Sequence, residues 1–210
     1  MSGDTIFTIG HSNTGVAEFI ALLRRHEIIA VADVRSRPYS QYLPHFNQPA
    51  LKAALREAGI GYVFLGKELG ARPDDPGCYV EGKARYERIA ATAPFAEGIA
   101  RLRKGLRTSR IAIMCAEKDP LVCHRTILVC YHLRRLEPDL TIAHILAAGG
   151  LESHEQVEQR LLGEHGLHQA SLFGPRSPEE LLAEAYRRQG ERIAFTREEQ
   201  HNDDDRAASS

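Results

Sequence analysis

One stretch of the chain decides the fold prediction, and it reads Ile111-Ala-Ile-Met-Cys115-Ala-Glu117-Lys118-Asp119-Pro120-Leu-Val-Cys123-His124-Arg125. Its first four residues form a short apolar run that favours a buried strand. Asp119 and Pro120 form a helix-start signal, with Asp as the N-cap and Pro at the first helical position. We therefore predict a strand over residues 111–115 and a helix over residues 120–136, with a cluster of reactive side chains between them.

The same alternation of strand and helix extends through most of the chain. Further apolar runs predict strands over residues 5–9, 28–34, 60–65 and 140–146, and helical spacing of apolar residues predicts helices over 16–23, 49–58 and 86–104. Five strands separated by four helices indicate a parallel sheet, because parallel neighbours need helical crossovers. The predicted fold is α/β, a Rossmann-like three-layer sandwich with a parallel sheet of about five strands and a helical C-terminal extension.

The length and composition of the chain predict one main domain. A chain of 210 residues with 43% hydrophobic content can bury one sizeable core. We assign residues 1–150 to the α/β domain and residues 151–195 to the helical extension, in which Ser177-Pro-Glu-Glu starts a helix that ends near Gln189. The acidic and polar tail over residues 196–210 is expected to be disordered.

The charge of the chain is unevenly distributed. Residues 1–150 carry 20 Lys and Arg against 15 Asp and Glu, whereas residues 151–210 carry 7 against 13. The positive first part predicts an anionic ligand, either a small molecule or a nucleic acid. Four cysteines without an export signal fit reduced thiols, and no apolar run approaches the roughly 20 residues of a membrane span. We expect a cytoplasmic protein that does not contact a membrane.

Polar and reactive side chains follow three of the predicted strands. Because the carboxyl ends of parallel strands share one edge of the sheet, these side chains should converge there. They are His11 and Ser12 after the first strand, Asp33, Arg35, Arg37 and Tyr39 after the second, and Cys115, Glu117, Cys123, His124 and Arg125 after the fourth.

The leading hypothesis is an enzyme, a hydrolase or a transferase, that binds a phosphate-bearing substrate related to nucleotides or nucleic acids. A thiol nucleophile needs a nearby base or cation, and the cluster contains both. The catalytic candidates are Cys115, Glu117, His11, Cys123 and His124. The ligand-binding candidates are Ser12, Asp33, Arg35, Arg37, Tyr39 and Arg125. This hypothesis predicts no cofactor.

Two alternatives remain open. In the first, Cys115, Cys123, His124 and His11 bind zinc or iron, which thiolate and imidazole ligands suit. Adjacent residues on a helix point about 100° apart, so Cys123 and His124 can bind one ion together only at a frayed helix terminus. In the second, the chain is a non-catalytic adaptor that binds DNA or the DNA sliding clamp, and the clustered residues are structural.

Several motifs taken together resemble the DUF488 family, which is largely uncharacterised. They are Thr8-Ile-Gly-His-Ser12, Asp33-Val-Arg35 with Arg37-Pro-Tyr-Ser40, Leu65-Gly66 with Leu69-Gly70, and Cys115-Ala-Glu-Lys-Asp-Pro with Cys123-His-Arg125. The resemblance spans about residues 5–146 and implies the fold and the location of the site, but no reaction. The recurrent positions of the family fall here on His11, Ser12, Asp33, Arg35, Cys115, Glu117, Cys123, His124 and Arg125.

A second resemblance lies in the C-terminal extension. Gln169-Ala-Ser-Leu-Phe173 is similar to the bacterial sliding-clamp-binding pentapeptide Gln-Leu-Ser/Asp-Leu-Phe and departs from it at Ala170. Gln169, Leu172 and Phe173 would contact the clamp, with the last two as apolar anchors. Alternatively, Leu172 and Phe173 attach the last helix to the core. Clamp binding would place the protein in DNA replication or repair.

Overall fold

The computed structural model describes residues 5–167 and 176–197, and its centre is a six-stranded sheet. Its strands are β1 (Thr5–Gly10), β2 (Ala30–Asp33), β3 (Gly61–Phe64), β6 (Ile111–Cys115), β7 (Thr141–Ile145) and β8 (Leu151–Ser153), while β4 (Tyr79–Val80) and β5 (Lys83–Ala84) form a separate hairpin. The order across the sheet is β3-β2-β6-β1-β7-β8. The first five strands are parallel, as predicted, and β8 adds an antiparallel edge strand that we did not predict.

Helices cover both faces of the sheet. They are α1 (Val16–Arg25), α2 (Gln48–Glu57), α3 (Gly66–Leu69), α4 (Tyr86–Ala90), α5 (Ala93–Leu106), α6 (Tyr131–Leu136), α7 (His154–Glu164) and α8 (Pro178–Ile193). Because side chains alternate along a strand, Ile6 of β1 packs in the core beneath α5, whereas Phe7 packs in the core beneath α1 and α2. The predicted Rossmann-like three-layer sandwich is therefore confirmed.

Two predicted helices are divided in the structure. The helix predicted over residues 86–104 ends at Ala90, and Thr92 caps a new helix by accepting a hydrogen bond from the Phe95 amide. The helix predicted over residues 120–136 consists of a 3₁₀ turn at Pro120–Val122, a π-helix at Arg125–Cys130 and then α6. The predicted N-cap is confirmed, since the Asp119 carboxylate accepts a hydrogen bond from the Leu121 amide.

The chain after residue 150 packs on the edge of the sheet that ends with β8. Val157 of α7 and Ala185 of α8 form a third apolar cluster with Leu121 and Ile127. The first residues of the tail predicted to be disordered are instead paired, because Thr196 bridges to Lys83 of the hairpin, and the rest of the tail lies outside the described residues. Within the described ranges, no helix is long and apolar enough to span a bilayer.

Candidate functional site

Four of the predicted side chains converge at the carboxyl end of β6. One potential ligand atom from each of Cys115, Glu117, Cys123 and His124 lies within 4.8 Å of all the others. The Glu117 carboxylate accepts hydrogen bonds from both thiols at 3.0 Å, and Nδ1 of His124 lies 3.6 Å from the Cys115 sulfur. The two cysteines and the histidine are buried, while Glu117 is exposed. The cluster therefore has a closed inner side and one acidic residue facing outward.

The broken helix brings Cys123 and His124 to the same point. Cys123 has an extended backbone (φ −132°, ψ 134°), because the 3₁₀ turn ends before it and the π-helix begins at Arg125. The 100° separation of adjacent helical residues therefore does not apply. Cys123 and His124 therefore lie at an irregular helix start, the arrangement in which we expected this pair to be able to bind one ion.

The orientation of His124 is fixed by a backbone carbonyl. Its Nε2 lies 3.0 Å from the carbonyl oxygen of Val34, the residue that follows β2. A carbonyl only accepts hydrogen bonds, so Nε2 carries the proton and the lone pair of Nδ1 faces the cysteine sulfurs in the neutral ring. Such an outer hydrogen bond fixes the tautomer and orientation of a metal-binding histidine in many proteins.

The ionisable groups of the cluster differ in their pKa values. Burial and the neighbouring Cys123 raise the pKa of the Cys115 thiol well above its usual value. Burial also opposes ionisation of Cys123, but hydrogen bonding from Cys115 and the charge of Arg125 outweigh it and hold the pKa of Cys123 well below its usual value. Desolvation, followed by the charge of Cys123, raises the pKa of Glu117. Of the two thiols, Cys123 is therefore the one that ionises more readily.

Arg125 holds the loop between β6 and the 3₁₀ turn in place through hydrogen bonds to its backbone. Its guanidinium is fully buried and donates to the carbonyl oxygens of Glu117 at 2.6 Å and Lys118 at 3.2 Å. Gly10 at the end of β1 allows this arrangement, because a Cβ atom there would lie 1.8 Å from the Glu117 carbonyl oxygen. Arg125 therefore positions the loop and has no exposed surface at which to contact the predicted substrate.

His11, Asp33 and Arg35 form a second buried group beside the cluster. Arg35 makes a two-pronged ion pair with Asp33, and its Nη1 donates to Nε2 of His11 at 3.1 Å. Nδ1 of His11 lies 2.8 Å from the Ser12 carbonyl oxygen, and burial lowers the pKa of His11 to about 4, so the ring is neutral. Both ring nitrogens are engaged, and Glu117 takes the place beside the cysteines that we had assigned to His11 in the metal alternative.

The remaining predicted residues lie farther out. Ser12 has a left-handed backbone (φ 49°), and its hydroxyl donates to the Asn13 side chain. Arg37 and Tyr39 are exposed on the loop after β2, with 77% of Tyr39 accessible to solvent. Gln169, Leu172 and Phe173 lie outside the described residues, so clamp binding stays a prediction from the sequence.

A cavity of about 230 Å³ adjoins the cluster and includes residues that we did not predict. Glu117 and His124 form part of its wall, and Arg72, Tyr86 and Phe195 form much of the rest. Tyr86 lies near the cluster, since burial and then the charges of Cys123, Cys115 and Glu117 raise its pKa. None of these three residues directly follows a strand of the main sheet, so we could not identify them from the strand ends in the sequence.

A buried hydrogen-bonded chain, also not predicted, connects Arg125 to the C-terminal extension. Arg125 donates to the Thr8 hydroxyl, which lies 2.8 Å from Nδ1 of His144. Nε2 of His144 lies 3.1 Å from Nδ1 of His154, and the other nitrogen of His154 lies 3.2 Å from the Tyr186 hydroxyl. Thr8, His144 and His154 have no exposed surface. The loop that carries Glu117 is therefore linked to α7 and α8 through the interior of the protein.

Comparison with known proteins gives a family but no function. No curated protein and no solved structure matches the chain. Residues 15–132 match the family model described as domain of unknown function DUF488. The matched range covers more than half of the chain and contains the four clustered residues Cys115, Glu117, Cys123 and His124. The protein belongs to the DUF488 family.

Proposed function

We propose that the protein is a zinc-dependent hydrolase whose metal ion is bound by Cys115, Cys123 and His124, with Glu117 at the fourth position. The observation that carries this proposal is the convergence of four ligand atoms within 4.8 Å, with the lone pair of His124 Nδ1 held toward the sulfurs by the Val34 carbonyl. Two thiolates and an imidazole form a ligand set typical of zinc.

The spacing of the atoms suits one tetrahedral ion. With Zn–S near 2.3 Å and Zn–N near 2.0–2.1 Å, a sulfur and a nitrogen on the same zinc lie about 3.6 Å apart. The Cys115 sulfur and Nδ1 of His124 are separated by 3.6 Å. The Glu117 oxygen lies 3.0 Å from each sulfur and would have to move outward by about half an ångström to reach the spacing of a tetrahedral ligand.

The different exposure of the four residues favours a catalytic ion over a structural one. Structural zinc sites are closed by four protein ligands, whereas catalytic sites keep one position for water or substrate. Here three ligands are buried, and the fourth, Glu117, faces the cavity of about 230 Å³. Glu117, the one exposed member of the set, would be the residue placed to accept a proton from a water molecule in the cavity when zinc is bound.

Bound zinc would lower the pKa of a coordinated water molecule to about 7, which is the chemistry of a metal-dependent hydrolase. The protein supplies the other requirements. Arg125 and Gly10 fix the loop that carries Glu117, and the Val34 carbonyl fixes His124. Arg35 and Arg125, which we expected to bind a phosphate group, instead direct most of their N–H groups to protein acceptors.

Metal content tests the proposal directly. Native mass spectrometry and elemental analysis of protein purified without chelator should find one zinc per chain. Cys123→Ser and His124→Ala should each lose it, whereas Cys78→Ala should retain it, because Cys78 is also a buried free thiol but lies on the hairpin side of the core. A metal-free wild-type protein that does not take up zinc on titration would refute the proposal.

The lowered pKa of Cys123 favours a second candidate, a metal-free enzyme with Cys123 as the nucleophile and His124 beside it. Only 1% of Cys123 is exposed, so a substrate would reach its sulfur only after the loop moved. Iodoacetamide separates the two functions. Rapid alkylation of Cys123 that added zinc does not slow would favour the nucleophile, and protection by zinc would favour the metal centre.

A further inference from the structure

The cavity beside the cluster is lined mostly by residues that are not proposed metal ligands. Its wall includes Arg192 to Phe195, which are the last two residues of α8 and the two residues after it. The segment is held in place because the Phe195 carbonyl accepts a hydrogen bond from the Ala84 amide of the hairpin. The C-terminal extension thus completes a pocket whose other wall is Glu117 and His124.

Two arginines, Arg72 and Arg192, line this pocket, and they differ in their partners. The guanidinium carbon of Arg72 lies 4.2 Å from the centre of the Phe195 ring, and Arg72 forms no salt bridge within the described part of the chain. A guanidinium stacked on a ring keeps its N–H groups in its own plane, where they can donate to an oxyanion. Arg192, on the same wall, already donates to Glu164. Arg72 is therefore the cation that remains available to a ligand.

Tyr86 supplies a second donor. Its hydroxyl has no hydrogen-bond partner among the residues that the structure describes, and Tyr86 lines the same cavity as Arg72 and Glu117. A phenol and a guanidinium beside the same cavity can bind two oxygens of one anionic group. The volume of about 230 Å³ is smaller than the pockets that hold drug-sized molecules, so the ligand is small.

We infer that this pocket binds a small molecule bearing an oxyanion, a phosphate or a carboxylate, with Arg72 and Tyr86 as its donors and Phe195 as the wall against its apolar part. This inference rests on the proposed function, because the same cavity is lined by Glu117 and His124, two of the proposed metal ligands. It places the substrate against Arg72 and Tyr86, and not against Arg35 and Arg125 as the sequence predicted.

Calorimetric titration of the full chain, loaded with one equivalent of zinc, tests the inference with two probes, inorganic phosphate and benzoate. The wild type should bind at least one of them, and the preferred probe distinguishes a phosphate ligand from a carboxylate ligand. Arg72→Met should weaken that binding about tenfold or more, and Tyr86→Phe about threefold to tenfold, because each removes donors and keeps the bulk of the side chain. Arg107→Met is the matched control, since Arg107 is exposed at the end of α5, before β6 begins.

Zinc content, measured on the same samples, separates failure of this inference from failure of the metal centre. None of the three substitutions removes a proposed metal ligand, so each variant should carry as much zinc as the wild type. Binding of neither probe, or equal binding by Arg72→Met and the wild type, would overturn the inference even if zinc is present. Absence of zinc together with probe binding that depends on Arg72 would refute the metal centre and support the pocket.

Discussion

We expect Gly10→Ala, which adds one methyl group, to destabilise the protein and to displace the loop that carries Glu117. The added Cβ would lie 1.8 Å from the carbonyl oxygen of Glu117 and 3.0 Å from Nη1 of Arg125. Contacts of this kind essentially never fall below 3.0 Å, so the carbonyl and β1 must separate by at least 1.2 Å, the difference between these distances. Both sides of the contact are backbone, Gly10 at the end of β1 and Glu117 in the loop after β6, so rotation of a side chain cannot relieve it.

The expected loss of stability has two parts, a weakened hydrogen bond and overpacking of the core. The hydrogen bond from Arg125 to the Glu117 carbonyl is 2.6 Å long, and a bond with a charged donor contributes about 1.5–3 kcal/mol. Overpacking in a close-packed core adds about 1–3 kcal/mol. We therefore expect Gly10→Ala to lower the free energy of unfolding by about 2.5–6 kcal/mol. Zinc affinity should fall as well, because the displaced segment carries Glu117 and follows Cys115 directly.

Urea denaturation followed by circular dichroism measures the first effect, and competition with a zinc-binding dye measures the second. With a urea dependence of about 2 kcal/mol per molar, the midpoint should fall by about 1–3 M. Gly150→Ala is the control, since a Cβ there meets nothing within 4 Å and the backbone is outside the left-handed region. If the two variants unfolded within about 0.5 kcal/mol of each other, the close approach between β1 and the Glu117 loop would be refuted.

Two further predictions concern buried ionisable groups. Asp33→Asn should cost about 3–5 kcal/mol in urea denaturation, because it leaves the buried guanidinium of Arg35 without its counter-charge; a loss under about 1 kcal/mol would contradict this. Burial lowers the pKa of His154 to about 4 from 6.5, so the folded state binds fewer protons than the unfolded state between these values. Its contribution to stability is present above pH 6.5 and is lost as the pH falls toward 4. His154→Gln should therefore reduce the slope of stability against pH in this range by about 1.4 kcal/mol per pH unit, and an unchanged slope would show that His154 does not titrate there.

The central sheet could be predicted because its strands are almost wholly buried. Ile111–Cys115 has exactly the predicted bounds, and the other four parallel strands differ by one or two residues at their ends. The antiparallel strand β8 was missed, because Leu151–Ser153 has only three residues, none of them buried, and so has no apolar pattern. The split between α4 and α5 did have a signal, the Thr92-Ala-Pro94 sequence at the start of α5.

The site could be predicted to the extent that strand ends define it. Cys115 and Glu117 follow β6 directly, so the topology alone places them at the carboxyl edge of the sheet. The buried ion pair of Asp33 and Arg35 could not be distinguished from an anion-binding arginine, because the same residue types serve both purposes. The contribution of Arg72 and Phe195 depends on tertiary packing between segments more than 100 residues apart, which no local pattern records.

The interruption of the helix after Pro120 is itself an argument for a binding function. A continuous α-helix would satisfy the backbone groups in this stretch internally, whereas the observed break leaves the Leu121 carbonyl to be satisfied by Nε2 of Gln189, a buried residue of α8, at 2.6 Å. π-helical turns within a helical stretch are rare and are frequently found at functional sites. Here the irregular backbone places the Cys123 sulfur and His124 Nδ1 beside Cys115, which a regular helix could not do. The hydrogen bond from Gln189 replaces the intrahelical hydrogen bond that the Leu121 carbonyl lacks. This replacement is one reason why the C-terminal extension packs against this loop.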